Sequence, residues 1–381
     1  MAPHEEKQPS AEAPDAAPPS QQEKSSSSND DGGLYEYTPP SYFGAQSRVP
    51  KFLQSLIADA FMFVVYHYNF WALPVLAFFV YLYQSGHGMI ALALVAIYIP
   101  RFLDGSERTA NGRPWQWLWD TPIWRLCSES IGLTILREQK LDPAKQYIFG
   151  FHPHGILILS RIATYGGNWE AMFPGVAARL SLALTTYALL LYFVSPDLCA
   201  VLGATAVFYV PLARDICLWL NAVDASRSTA EKVLKSGKSV MVYPGGIPEI
   251  FLTEPDSKDN KVMLNKRLGF VKLAIRHGAE LVPVFTFGEK WLFKYVYLPF
   301  YNMVTLTVWT PPQHVVALAR KVLKIPIILF WGRFLWLPKI LPKEKTFGVV
   351  YGKPIPTSKI ADPSDEEVQA VHALYVAEIE R

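Results

Sequence analysis

Two histidines flank a proline in the run Phe151-His152-Pro153-His154-Gly155. Imidazole titrates near neutral pH, so it can take a proton from an attacking hydroxyl and return it to a leaving group, worth typically 10²–10⁴ in rate. The proline fixes one backbone torsion, and Gly155 permits close passage or a positive torsion. Taken alone, the pair fits two hydrogen-bonded turn histidines as well as it fits a catalytic base. A metal site needs more ligands at suitable spacing. The other histidines (His4, His67, His87, His277, His314 and His372) are isolated, and Cys127, Cys199 and Cys217 form no CxxC pair. Neither a metal nor a disulfide framework is therefore expected. No GxSxG nucleophile elbow and no GxGxxG fingerprint occur, and Gly237-Lys238-Ser239 fails as a phosphate loop because Lys232 holds its upstream glycine position. A histidine base without a serine nucleophile suits direct transfer to a substrate hydroxyl.

The elements that must position these residues alternate. The stretch 146–150 (QYIFG) reads as a strand entering the histidine turn. Ser228-Thr229-Ala230-Glu231 is a capping-box pattern for a helix running to Lys235, with Gly237 placed to stop it. The stretch 239–243 (SVMVY) is a buried strand ending at Pro244-Gly245-Gly246. An amphipathic helix over 267–277 is capped by Gly278, and another strand follows over 281–286. Alternating strands and helices predict an α/β fold whose largely parallel sheet is flanked by helices. Sites in such sheets form beyond the carboxyl ends of strands, where both the histidine turn and the Pro-Gly-Gly turn would lie.

The chain has 381 residues, 51 % hydrophobic and only 18 % charged against about a quarter in ordinary globular chains, with a positive mean hydropathy. That composition excludes an entirely disordered chain, and the small net charge of +3 argues against nucleic acid as a partner. Charge is unevenly placed. Residues 1–33 hold seven acids and two lysines, a net of −5 that leaves +8 for the rest. This Ser-, Pro- and Ala-rich head has no apolar periodicity, so residues 1–50 are expected to form a disordered cytosolic tail.

From 60 to 100 no side chain is formally charged. The run 60–83 is 24 residues, about 36 Å as a helix against a hydrocarbon core of about 30 Å. A turn at 84–88 leads to a second apolar run, 89–99, which at about 17 Å is too short to cross alone. Arg48 and Lys51 precede the pair, and Arg101, Arg108 and Arg113 follow it. Basic flanks favour the cytosolic side, which predicts a hairpin over 51–100 entering the bilayer from that face. The charge-free runs 180–194 and 198–212, each below spanning length, fit buried core, an interfacial pair or the wall of an apolar substrate cavity. The stretch 325–338 mixes Trp331, Trp336 and Arg333 with aliphatics, which fits a headgroup level and a loop of ordinary core aromatics equally well. A further domain over 101–381, the α/β part, completes the expected organisation.

Four segments together resemble the type-2 diacylglycerol acyltransferase family. They are 147–155 with its HPHG turn, Pro244-Gly245-Gly246-Ile247-Pro248-Glu249, the stretch from Arg267 to Glu289, and 347–356. The resemblance covers roughly residue 56 to the C-terminus, in the family's order. It implies an endoplasmic-reticulum membrane enzyme, also found at lipid droplets. Its cytosolic domain, similar to the wider glycerolipid acyltransferases, would esterify diacylglycerol from acyl-CoA, a co-substrate, with no cofactor. The bilayer is an implied partner and a homo-oligomer an allowed one. On that pattern His152 or His154 is the base, and Arg227 matches the arginine of the second block. The wider family's aspartate position holds Leu157, so Glu249 is the candidate orienting carboxylate. Amides near Gly155, Gly245 and Gly246 are candidates for the oxyanion, and Lys266 and Arg267 for CoA phosphates. Close relatives with monoacylglycerol or fatty-alcohol acceptors share these motifs. A catalytically silent lipid-droplet hairpin protein and a zinc hydrolase are the readings from other classes.

Overall fold

Strand β3 (Tyr147–His152) is buried along its whole length, as a strand covered on both faces must be. The computed structural model in which it lies describes residues 34–44, 46–182, 206–246, 249, 252, 257, 260–264, 267–298, 327–334, 337–342 and 344–381. The other strands of its sheet are β1 (Tyr35–Tyr37), β2 (Leu133–Arg137), β4 (Ala178–Leu182), β5 (Ala222–Asp224), β6 (Ser239–Val242), β7 (Glu280–Phe287) and β10 (Phe347–Tyr351). Their order is β1-β2-β10-β7-β3-β6-β4-β5; β8 (Lys294–Leu298) and β9 (Ile327–Trp331) pair separately. The five strands from β7 to β5 are parallel. At the other edge β10 runs antiparallel to β7, and β1 antiparallel to β2. The sheet is thus mixed, with the expected parallel part running from β7 near its middle to β5 at one edge.

Alternation along β3 divides the core. Tyr147, Phe149 and Phe151 face one apolar layer, which includes Trp124 of α5 (Ile123–Ile131) and Trp169 of α6 (Asn168–Met172). Ile148 faces a second layer made by α8 (Arg227–Lys235), α9 (Gly269–His277) and α11 (Asp365–Glu380). Helix α8 starts two residues earlier than the capping-box pattern predicts. Its N-cap is Ser226, whose side chain makes no capping bond to the backbone. Helix α9 starts at Gly269 and ends at Gly278, which has a positive φ of 67°. The position before β5 holds Asn221 at φ 66°, a conformation that asparagine tolerates better than most residues.

The long apolar run 60–83 is not one helix. His67 divides α1 (Lys51–Tyr66) from α2 (Tyr68–Gln84). Helix α1 belongs to the folded domain, with Ala58, Met62, Val65 and Tyr66 buried. Helix α2 packs against α3 (Gly88–Phe102), which follows it after a short turn. The pair carries exposed Leu76, Phe78, Tyr83, Met89, Leu92 and Ile97. The stretch Gly88–Arg108 is long and apolar enough to cross a membrane by length and composition, and its apolar window is unburied. An ion network fastens its end to α7 (Ala213–Trp219). Tyr98 donates to Asp215 at 2.5 Å, Arg113 pairs with Asp215, and buried Arg214 meets Asp104 and Glu107 at 2.6 Å each. Arg333 pairs with Asp59 of α1 at 2.6 Å. The head 1–33, most of the charge-free runs 180–194 and 198–212, and Trp336 lie outside the described residues.

Candidate active site

His152 is the last residue of β3, and Glu249 follows the turn that leaves β6. The two neighbouring parallel strands deliver both groups to one end of the sheet. His152 Nδ1 lies 2.9 Å from Glu249 Oε1, with both side chains 0 % exposed. Glu249 Oε1 also accepts the Met263 amide at 3.0 Å, and Oε2 accepts the His154 amide at 2.7 Å. A carboxylate already accepting two N–H groups is an acceptor for the ring as well, so Nδ1 carries the proton. That leaves Nε2 with its lone pair. Nε2 is buried and has no hydrogen-bonding partner among the described residues.

Both glycine turns are needed for close approach. A Cβ on Gly245 would come closer than 3.0 Å to the Glu249 carboxylate, and one on Gly155 would come as close to the Glu289 carboxylate. Gly246 has a positive φ of 59° and donates its amide to the Tyr243 carbonyl at 3.2 Å. That bond closes the Pro-Gly-Gly turn after β6.

The second histidine stands differently. His154 Nδ1 lies 2.8 Å from the Gly155 carbonyl, and its ring meets Tyr243 edge-on at 5.5 Å. Arg267 reaches the carbonyl of Gly245 at 3.4 Å, which puts it beside the site although α9 starts two residues later. Lys266 lies outside the described residues. Arg227 opens α8 at the carboxyl end of β5, but its exposed side chain pairs with Glu231 at 2.9 Å. It makes no described contact with the histidine turn. Among the described residues no three His, Cys, Asp or Glu side chains converge as metal ligands do.

Two residues here escape sequence reasoning. Tyr375 of α11 is fully buried, donates to the Gly150 carbonyl at 2.9 Å, and sets its ring 5.9 Å from that of His152. It lies 223 positions from His152 in the chain, and no local pattern links them. Glu289 ends a segment that sequence reasoning singled out, yet its pairing with the histidine turn depends on the sheet.

A histidine held by a carboxylate on one nitrogen and bare on the other, at the carboxyl ends of parallel strands, is equipment for proton abstraction from a hydroxyl in group transfer. The family model described as diacylglycerol acyltransferase matches residues 79–381, and the chain belongs to that family. It is similar to diacylglycerol O-acyltransferase 1 of Schizosaccharomyces pombe, 30 % identical over 300 residues covering 77 % of this chain and 76 % of that one. It is similar also to 2-acylglycerol O-acyltransferase 1 of Mus musculus (27 % identical; 86 % and 85 % covered). Diacylglycerol O-acyltransferase 2 of Danio rerio is 28 % identical, with 78 % and 75 % covered. The enzyme is an acyltransferase of acylglycerol synthesis.

Proposed function

We propose that the enzyme makes triacylglycerol by transferring the acyl group of acyl-CoA to the free hydroxyl of diacylglycerol, with His152 as general base. The observation that carries this is the bare, buried Nε2 of a histidine whose Nδ1 is held by Glu249. His152 Nε2 takes the hydroxyl proton as the oxygen attacks the thioester carbonyl. Amides of the glycine turns stabilise the oxyanion. Collapse breaks the C–S bond, and the imidazolium returns its proton to the CoA sulfur, leaving ester and free thiol.

Transfer without an acyl-enzyme is supported by the same nitrogen. A Ser–His or Cys–His pair needs a hydroxyl or thiol within hydrogen-bond reach of the base, and no described side chain is so placed. Acyl-CoA phosphates would meet Arg267. A diacylglycerol acceptor is favoured by the family description, whereas a monoacylglycerol or fatty alcohol would change only the product. The exposed apolar hairpin and its basic flanks support residence in the endoplasmic-reticulum membrane with the catalytic domain cytosolic, and an apolar hairpin can also enter a lipid droplet.

The test uses membranes from cells lacking triacylglycerol synthesis. They receive labelled oleoyl-CoA with diacylglycerol, monoacylglycerol or hexadecanol in separate reactions, beside a His152→Ala protein at matched expression. Label in triacylglycerol that the variant loses supports the reading. Label in diacylglycerol or wax ester moves the acceptor. No transfer at all favours the silent hairpin protein, and equal transfer by the variant removes His152 as base.

A further inference from the structure

The segment 152–159 is held at two points, and the mechanism above uses only one. At its start, Glu249 binds the His152 ring and the His154 amide. At its end, Glu289 Oε1 accepts the Leu159 amide at 2.7 Å, and the Glu289 carboxylate lies against the α-carbon of Gly155. Glu289 is buried and comes from the turn after β7, on the side of β3 away from β6. Gly288, at φ 77°, lets this turn pass the Thr346 carbonyl, which a Cβ would approach closer than 3.0 Å. Two carboxylates from the two strands that flank β3 thus grip one short segment, each against its own glycine.

We propose that Glu289 is a positioning residue for acyl transfer: its carboxylate fixes the segment from Gly155 to Leu159 and thereby the aim of His152. This rests on the reading of His152 as base. Ordinary packing does not call for a carboxylate here, because burying one is costly. Burial pushes the Glu289 carboxyl up to about 7, against the opposing pull of the Leu159 amide, Ser160 and Arg161. The titratable groups facing it are Arg161, Tyr243 and Tyr66 of α1. Oε2 has no hydrogen-bonding partner among the described residues. The carboxylate is held in spite of its cost, and what it secures is the backbone that carries the histidines.

The experiment measures transfer from oleoyl-CoA to diacylglycerol in membranes carrying the full chain. Glu289→Ala should lower kcat about 100-fold, the effect of roughly 1 Å of misplacement, with KM for both substrates within about threefold. Glu289→Gln keeps the shape and one acceptor for the Leu159 amide, so it should lie between, about tenfold below wild type. Gly155→Ala should be no worse in the Glu289→Ala background than alone, because the clash it creates is with that side chain. Wild-type kcat in both Glu289 variants overturns the proposal, as does wild-type kcat in the Gln variant where the Ala protein does not accumulate. A loss confined to KM, or strict additivity with Gly155→Ala, also overturns it. His152→Ala, run alongside, separates the failures. Wild-type turnover there removes the base itself, whereas its loss beside intact Glu289 variants removes only Glu289.

Discussion

His152 Nδ1 and Glu249 Oε1 are 2.9 Å apart with no solvent access to either side chain, and the same carboxylate holds two backbone amides. Glu249 is therefore both the group that orients the base and the joint between the histidine turn and the segment around Met263. Glu249→Gln keeps the size but can present an amide N–H to Nδ1, which would put the ring proton on Nε2. We expect kcat to fall about 10³–10⁴-fold with modest change in KM, by the logic of other base-orienting carboxylates. Steady-state kinetics at matched expression checks it, and a Gln variant within threefold of wild type would refute the tautomer argument.

The two histidines should separate. Removal of His152 should cost the full contribution of a general base, about 10²–10⁴ in kcat. His154 already faces the Gly155 carbonyl with Nδ1 and packs on Tyr243. His154→Ala should cost no more than about tenfold, through lost packing and turn order. Parallel kinetics of the two single variants decides this, and a larger loss for His154 would exchange their roles.

Gly245 has no room for a side chain, because a Cβ would fall within 3.0 Å of the Glu249 carboxylate. Gly245→Ala must move either the turn or the carboxylate. We expect activity reduced at least about 100-fold, together with a melting temperature lowered by several degrees. Thermal unfolding of detergent-extracted protein and the transfer assay measure the two effects separately. Unchanged activity would mean that the turn relaxes without disturbing Glu249.

Glu289 also leaves a signature in stability. Its pKa is raised from 4.5 to about 7 by burial, so between those values the folded protein binds a proton that the unfolded chain has released. Its contribution is fully present below about 4.5 and is lost as pH rises through about 7. The shift corresponds to at most about 3 kcal/mol. Wild type should therefore lose stability relative to Glu289→Gln between pH 5 and 8. Denaturant unfolding of both proteins across that range tests the sign, and parallel curves would refute it.

The hairpin reading makes a prediction away from the site. Leu92 and Ile97 are exposed on α3, so arginine at both positions should leave the catalytic domain folded. Each arginine would cost about 2.5–3.5 kcal/mol at the centre of a bilayer. Leu92→Arg/Ile97→Arg should shift the protein out of the alkaline-carbonate pellet. Undiminished retention would show that other segments carry the attachment.

The sequence by itself determined the local pieces. Apolar runs and turn residues located β3, β6, β7 and α9, since each element follows from a pattern that its own residues contain. The HPHG and Pro-Gly-Gly motifs placed His152 and Glu249 in one family's order. Tertiary structure decided what depends on contacts between distant segments. The run 60–83 is uniformly apolar, so no local signal tells α1, packed in the core, from α2, left exposed; only packing against α5 makes that division. A motif position singles out Arg227 in the sequence, and the structure adds its ion pair with Glu231 at 2.9 Å. Of the charge-free runs 180–194 and 198–212, residues 180–182 lie in β4 and Val207 and Phe208 are buried in the core, whereas 183–205 lie outside the described residues. Glu289 and Tyr375 meet the histidine turn only because strand order and the final helix bring them there. A sequence records a side chain's chemistry, but which groups share a buried space is set by sheet topology, which no short-range periodicity encodes.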